Sequence, residues 1–466
     1  MDLTATVIII RADALPYPEE KFQKTLDSIL AQENVSIDKI VVAMVPEKQG
    51  SLSSQKESSA ERGTNIPVHY FGGNRLDFYA TLSDVFSQAN GESIVLVNGM
   101  NDPVYLKKNA VCALCMSLRR IPRAGMVYAD YSVEGGKDVH LLEYHPGRVR
   151  DNLDLGHVFA FPTREIQAME FLKGLQSPSL YHLRLRVSEN RTIRHISNRM
   201  EGSLYSIERA SKQHNVFDYL QSAKSHQQEM ERVLTHHLEN IGACLAPGHY
   251  PKEREKAPVG EIAVSIIVPV YRRPDFIRVA IESALQQTLQ KRVEVIVVVN
   301  GGKEDPTAQA VQDYLPGGKL HRKDAPEVRL LVVDLNNIGF CLNLGISIAR
   351  GRYYLQLDSD DRLKPEAAEK VLEAFDKDSR TAMVIGSYEV WEKKADGQIV
   401  RKEEIPVVKH EEWTEENGRN NLLRINGAGA PRAYDIQVVK SFGGFSVNRS
   451  EERRVGKECR SRGPPY

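Results

Sequence analysis

Leu355-Gln-Leu-Asp358-Ser-Asp360-Asp361 is an apolar strand signal that runs straight into three carboxylates. Carboxylates crowded at a strand end repel one another and lose hydration, so the pattern makes chemical sense where a hard cation with oxygen ligands binds. A divalent ion held between these side chains and a diphosphate is the reading the residues favour. The other is a solvated turn that caps the next helix.

The flanking sequence supplies the context. Gly345-Ile-Ser-Ile-Ala-Arg350-Gly351-Arg-Tyr-Tyr-Leu355 predicts a helix end, a glycine stop and a strand. Upstream, Ala263-Val-Ser-Ile-Ile-Val-Pro269-Val270-Tyr271 reads as a buried strand and Phe276 to Gln287 as a helix with apolar residues at helical spacing. Val293 to Val299 follows as a continuous apolar strand that ends at Asn300-Gly301-Gly302. Strands alternating with helices predict an α/β fold with a mostly parallel sheet covered on both faces. In such sheets the ligand crevice lies beyond the carboxyl ends of the strands. Pro269-Val-Tyr271, Asn300-Gly301 and Asp358-Ser-Asp360 all fall at those ends, so three separated motifs converge on one crevice.

The pieces Val264 to Tyr271, Ser283-Ala-Leu-Gln-Gln-Thr288, Val297-Val-Val-Asn-Gly301, Asn337-Ile-Gly339, Asn343-Leu-Gly345, Gly351 to Asp361 and Phe442-Gly-Gly-Phe445 belong together. Through them the segment from about 263 to 445 resembles family 2 glycosyltransferases of the GT-A fold, a Rossmann-like architecture. The resemblance implies a nucleotide-sugar donor of the UDP-sugar kind, a divalent metal (Mn2+ or Mg2+) on a DxD motif, and an inverting displacement at the anomeric carbon. The acceptor it implies is a glycan or lipid-linked glycan, as in bacterial surface-polysaccharide synthesis at the cell envelope. Carried over by position, Asp358 and Asp360 are the metal pair, with Asp360 the direct ligand and Asp361 a helper or helix cap. Pro269, Tyr271, Asn300, Gly301, Asn337, Gly339 and Asp358 are the donor-binding residues. Asn300 stands where the family usually has an Asp at the base or ribose, and an amide offers a different donor and acceptor pattern. The helix from Asn337 to Gly345 is short for the family and lacks its Arg before Asn343.

The resemblance also implies a general base, an Asp in a Glu-Asp motif shortly after Gly-Gly-Phe, expected beyond Asn448. In its place Arg449 to Arg462 looks like the translation of a sequencing-library adapter, so 449–466 is set aside as an artefact tail, with a native charged tail as the alternative. Glu451 and Glu452 receive no role, and no catalytic residue is assigned. On the adapter reading the natural chain continues past Asn448, and apolar surface near Phe442 and Phe445 is left exposed.

An internal repeat is the second large feature. Ala5 to Ile10, Lys24 to Gln32, Lys39 to Val45, Leu76 to Asn90 and Gly91 to Val97 retrace the same order of strands and helices, ending at Asn98-Gly-Met-Asn101-Asp102. Arg11 and Asn98 are 87 positions apart, and Pro269 and Asp358 are 89 apart. Met126 to Tyr131 parallels Met383 to Tyr388, and Phe161-Pro-Thr-Arg164 parallels Ala430-Pro-Arg432. The first copy keeps the scaffold and loses the acids: Asn98 replaces the first DxD carboxylate, and Ser179 and Leu180 precede Tyr181-His182 where the family has Glu and Asp. It reads as a degenerate domain that packs, positions an acceptor or binds glycan, with a metal-independent transferase as the alternative. The boundaries that follow are 1–246, a charged proline-flanked linker at 247–260, and 261–448. Ala223 to Ile241 predicts a helix, on which His236 and His237 point about 100° apart, cannot share one ion, and read as surface residues.

Composition sets outer limits. The chain has 466 residues, 62 Lys and Arg against 62 Asp and Glu, and 41% hydrophobic residues, which suits two domains and gives no support for nucleic-acid binding by bulk charge. Arg119-Arg120-Ile-Pro-Arg123 is a local basic cluster, either a solvated rim or a peripheral contact with anionic lipid. Of five cysteines Cys459 lies in the tail, while Cys112 and Cys115 sit in an apolar helix pattern that favours core packing over zinc or redox chemistry; Cys244 and Cys341 complete the set. No signal peptide and no apolar run of about eighteen residues is visible, so the expected place is the cytoplasm, with peripheral association at the inner membrane face. A nucleotidyltransferase would need a glycine-rich loop after the first strand, where Pro269-Val-Tyr-Arg-Arg-Pro274 has none. Two readings stay open: a metal-dependent transferase, and a non-catalytic glycan-binding or scaffolding protein.

Overall fold

The computed structural model describes residues 2–45, 56–57, 65–73, 77–136, 138–197, 202–209, 224–246, 248, 258–394, 398–409, 420–425 and 431–447. The chain divides into two compact units, Met1–Pro247 with Glu415–Ile425 and Gly248–Thr414 with Asn426–Tyr466. Most of the linker named from the sequence, the expected position of the general base and the tail from 449 lie outside the described residues.

The first unit carries β1 (Thr4–Ala12), β2 (Ser36–Val45), β3 (Lys56–Glu57), β4 (Val68–Gly72), β5 (Ser93–Asn98), β6 (Val104–Leu106), β7 (Ala124–Ala129), β8 (Tyr131–Val133), β9 (Asp138–Val139), β10 (Val158–Pro162), β11 (Thr192–Ile196) and β12 (Tyr205–Ile207). Every residue of β1 from Ala5 onward is buried, as expected of a central strand covered on both faces. The main sheet runs β11-β7-β10-β5-β1-β2-β4-β3, and a smaller one runs β6-β12-β8-β9. The second unit carries β13 (Val264–Val270), β14 (Val293–Val299), β15 (Glu327–Val332), β16 (Tyr353–Gln356), β17 (Met383–Ile385), β18 (Trp391–Lys393), β19 (Ile399–Arg401) and β20 (Arg432–Asp435). Its main sheet runs β15-β14-β13-β16-β20-β17, with β18 and β19 forming a separate hairpin.

These two sheets share one plan. In the second unit β13, β14, β15 and β16 are parallel and β20 is antiparallel to both β16 and β17. In the first unit β1, β2, β4 and β5 are parallel and β10 is antiparallel to both β5 and β7, in the corresponding order β4-β2-β1-β5-β10-β7. The second sheet separates two apolar layers by strict alternation. Ile266, Val268, Val295 and Val297 pack with Ile277, Ile281 and Phe375, whereas Ile267, Ile296, Val298 and Tyr354 pack with Cys341, Leu342, Ile346 and Ile436.

Glu294 interrupts this apolar run, and it is fully buried. Its Oε1 accepts from Ser265 Oγ and the Arg350 amide, each at 2.7 Å, and its Oε2 from Arg350 Nε at 2.9 Å and Arg329 at 3.1 Å. Burial alone would raise this carboxyl's pKa. The Arg350 amide, the Ser265 hydroxyl and the two guanidiniums outweigh it and hold the group below the usual carboxylate range.

Three sequence expectations change. His237 is buried, not on the surface, because the helix Lys224–Asn240 turns Met230, Val233, Leu234 and Leu238 inward and His237 lies on that stripe, its Nδ1 3.2 Å from Glu189 Oε1. Of the two terminal phenylalanines only Phe442 is left open, at 83% exposure; Phe445 packs edge-on against Tyr354 and Tyr434. The sequence boundaries assign residues 415–425 to the second domain, whereas packing counts them with the first unit. There Arg424, 2% exposed, donates to Asp151 Oδ2 at 2.6 Å and Gln227 Oε1 at 2.8 Å, and Asn420 bonds the Leu245 backbone. In the basic cluster, Arg119 pairs with Glu92 and Arg123 donates to the Asn190 carbonyl at 3.2 Å. Cys112, Cys115 and Cys341 are buried, Cys244 is half-buried, and none of these four is in a disulfide. Among the described residues no helix is long and apolar enough to cross a membrane.

Breaking the Glu294 network is expected to cost about 3 kcal/mol at neutral pH, in line with the loss of one partner from a buried ion pair. Because the folded carboxyl titrates below its unfolded value, its contribution is present above the ordinary carboxylate pKa and lost as pH falls through the folded one. Urea unfolding of Glu294→Gln against wild type at neutral and acidic pH checks this: the difference should narrow on acidification.

Candidate functional site

The crevice begins where two strands part. β13 pairs with β14 as far as Val270↔Val299, but with β16 only as far as Ile267↔Gln356. Ile267 still accepts the Leu357 amide at 3.1 Å, so its carbonyl faces β16. Two residues on, Pro269 faces the same side and has no N–H to offer, and β16 has ended. Pro269 itself is buried within β13, which makes its role one of strand geometry.

Beyond the strand ends, Tyr271, Asn300 and Asp358 follow β13, β14 and β16, which are neighbours in the sheet. The loop after β13 is held from below. Arg272 adopts a left-handed φ of 49°, and its amide donates to Asp305 Oδ2 at 2.8 Å. Arg273 N donates to Thr307 Oγ1 at 2.8 Å, and both Asp305 and Thr307 are buried. Gly301 is required by the same aspartate: a Cβ there would lie 2.2 Å from Asp305 Oδ2. Asn300, 5% exposed, donates through its amide nitrogen to Asn336 Oδ1 at 3.3 Å, and its own Oδ1 is buried without a partner.

Each carboxylate of the DxD pair has an arginine nearby. Asp360 Oδ2 lies 2.6 Å from the Arg273 guanidinium, which also reaches Ser359 Oγ at 3.4 Å. Asp358 Oδ1 accepts from Gln356 Nε2 at 2.8 Å, with Arg432 at 3.9 Å. Gln356 is buried, and its Oε1 accepts from Tyr354 Oη at 2.6 Å and Arg432 Nε at 3.0 Å, which leaves its amide nitrogen only the direction of Asp358. Asp361 lies at the surface, yet the protein crowded around its carboxyl, and then the charges of Asp358 and Asp360, push its pKa up to about 7.

Asn337 and Gly339 serve a different segment. Asn337 Oδ1 caps the helix Ile338–Ile348 at the Phe340 amide, and its Nδ2 donates to the Val447 carbonyl at 2.9 Å. A Cβ at Gly339 would come within 2.4 Å of the Ser446 carbonyl. Asn343 bonds both backbone groups of Phe445, at 2.7 and 2.8 Å, and Gly443 and Gly444 take φ of +80° and +82° to bring that residue in. Sequence reasoning named Tyr271, Asn300, Asp358 and Asp360 at the strand ends and did not name Arg273, Asp305, Asn336, Gln356 or Arg432. A buried Gln just before the acids was the one local signal.

The donor set fits a hard divalent ion: two carboxylates at an open edge, all oxygen, with the substrate's phosphates and water to complete the shell. Among the described residues no group of three or more His, Cys, Asp or Glu side chains gathers to hold a metal. In the first unit the corresponding edge is filled by its own side chains. Arg11, 8% exposed, pairs with Glu19 at 3.1 Å and lies over the Phe22 ring at 4.3 Å. Tyr17, 6% exposed, donates to the Gly99 carbonyl at 2.7 Å, and burial raises its phenol to about 12. Asn98 Oδ1 accepts the Met100 amide at 3.3 Å.

Residues 265–430 match the family model of glycosyl transferase family 2. Relatives include the chondroitin synthase of Escherichia coli, 36% identical over 26% of this chain and 16% of that protein, and the hyaluronan synthase of Pasteurella multocida, 35% identical over 26% and 12%. The chain thus spans under a fifth of the length of these two. Similar solved structures include S. aureus TarS 1-349 in complex with UDP-GlcNAc, 13% identical over 51% of this chain and 66% of that one with a TM-score of 0.35. Another is the mannosyltransferase PcManGT from Pyrobaculum calidifontis in complex with GDP-Man and Mn2+, 17% identical over 44% and 50% with a TM-score of 0.29.

Replacing Asn343 by Ala removes both anchors of Phe445. The expected loss is about 1–3 kcal/mol of local stability, visible as lost hydrogen-exchange protection of the Phe445 amide with the β13 and β14 amides unchanged.

Proposed function

We propose that the second unit is an inverting glycosyltransferase that moves a sugar from a nucleotide-sugar donor, a UDP-sugar, to a growing surface-polysaccharide or lipid-linked glycan at the cytoplasmic face of the cell envelope. The observation that carries this reading is the side-by-side placement of Tyr271, Asn300 and the Asp358–Asp360 pair at the carboxyl ends of three neighbouring strands, inside the segment that matches the family. The polymer-synthase names of the curated relatives support the acceptor class.

Each group has a task on this reading. Asn300 offers a buried acceptor, its orientation set by Asn336, to an imide N–H such as N3–H of uracil; cytosine would present a lone pair at that point and be repelled. Asp358, oriented by Gln356, and Asp360 hold the divalent ion (Mn2+ or Mg2+). Bound there, the ion supplies positive charge to the departing diphosphate. Arg432 adds a fixed positive charge beside Asp358. The first unit is a degenerate copy: Asn98 stands for an acid, and Arg11 and Tyr17 occupy the edge where a donor would lie. Its role is to pack, position acceptor or bind glycan.

Calorimetry of UDP, GDP and dTDP, with and without Mn2+, tests the reading on the full chain and on Asp360→Ala. UDP is expected to bind best, to require Mn2+, and to lose at least about tenfold in the variant, the scale of one lost charge-assisted contact. No metal-dependent nucleotide binding by the folded chain would refute the donor site and leave the scaffolding reading.

A further inference from the structure

Asp360 already has a cation. The Arg273 guanidinium sits 2.6 Å from its Oδ2, and this contact is positioned from two directions. The backbone under Arg273 is fixed by the buried Asp305 and Thr307 side chains, with Arg272 held at a positive φ, while the side chain as a whole remains 39% exposed and its guanidinium carbon lies 5.9 Å from the Phe276 ring. The root is rigid and the tip is open.

We infer that Arg273 is an exchangeable counter-ion. It neutralises Asp360 in the free protein, yields that carboxylate to the divalent ion, and turns to the donor's diphosphate, so that metal and nucleotide bind cooperatively through this one side chain. The inference rests on the donor-site reading above and adds a residue and a coupling to it. Exposed Arg–carboxylate pairs contribute about 1 kcal/mol or less, so the contact is cheap to break. A guanidinium released from a carboxylate has in phosphate an equally good planar partner. Metal alone must strand the arginine; metal with a diphosphate does not. By linkage, the factor by which UDP strengthens Mn2+ binding equals the factor by which Mn2+ strengthens UDP binding.

Arg273→Gln separates these terms in the full chain, with Arg322→Gln as a charge-matched control whose guanidinium pairs with Glu282 at 2.8 Å. Mn2+ and UDP are titrated singly and together by calorimetry, without turnover. Arg273→Gln should bind Mn2+ alone roughly three- to tenfold tighter, bind UDP alone more weakly, and lose a similar factor of coupling between them. The control should match wild type in all three. Equal Mn2+ affinity and equal coupling in wild type and Arg273→Gln overturn the inference and leave the donor site standing. Absence of Mn2+-dependent UDP binding in all three proteins overturns the donor-site reading and the inference with it.

Discussion

A parallel sheet offers a binding edge only where its strands separate, and in the second unit that separation is set by backbone chemistry between β13 and β16. β16 stops pairing at Gln356 while β13 continues to Val270, and the first β13 residue that would have reached for it afterwards is a proline. The gap lets the loop after β13 and the loop after β16 face each other with their side chains free to meet. Everything distinctive about the edge follows from this: the arginine at 273 can touch the aspartate at 360, and a glutamine inside β16 can steer the aspartate at 358.

Charge at this edge is arranged by position more than by amount. Three carboxylates share it with two guanidiniums, and each of the paired acids has an arginine from a different element, one from the loop after β13 and one from the start of β20. The contrast with Glu294 is instructive. That carboxylate lies inside the sheet, accepts four hydrogen bonds, and is kept ionised by a complete set of donors. Asp361 lies at the surface with a raised pKa and like charges as neighbours. The first arrangement stabilises a fold; in the second, burial and like charges oppose ionisation of the third carboxyl, which titrates far more readily than Glu294 on acidification.

Much of this was legible in the chain. Continuous apolar runs ending in Asn300-Gly301 and Asp358-Ser-Asp360 located strands and their carboxyl ends, since a fully buried parallel strand has a distinctive composition. What was not legible depends on partners far apart in sequence. Arg273, Asn336 and Arg432 acquire their roles from residues tens of positions away, and nothing in their own neighbourhoods marks them. Asn337 and Gly339, named from the sequence as donor-binding residues, direct a hydrogen bond and a close approach to residues 447 and 446, partners that no local pattern announces. His237 was readable and misread, because the spacing that makes Met230, Val233, Leu234 and Leu238 a buried stripe includes it.

The short stretch around Arg424 sets a clock on the first unit. Asp151 and Gln227 are made early, yet the guanidinium that joins them arrives only after most of the second unit has left the ribosome, on the order of tens of seconds later at ordinary rates of synthesis. The N-terminal half of this chain therefore cannot reach its finished packing as it emerges. It waits, with a gap lined by a carboxylate and an amide, for a plug encoded 197 residues downstream of Gln227.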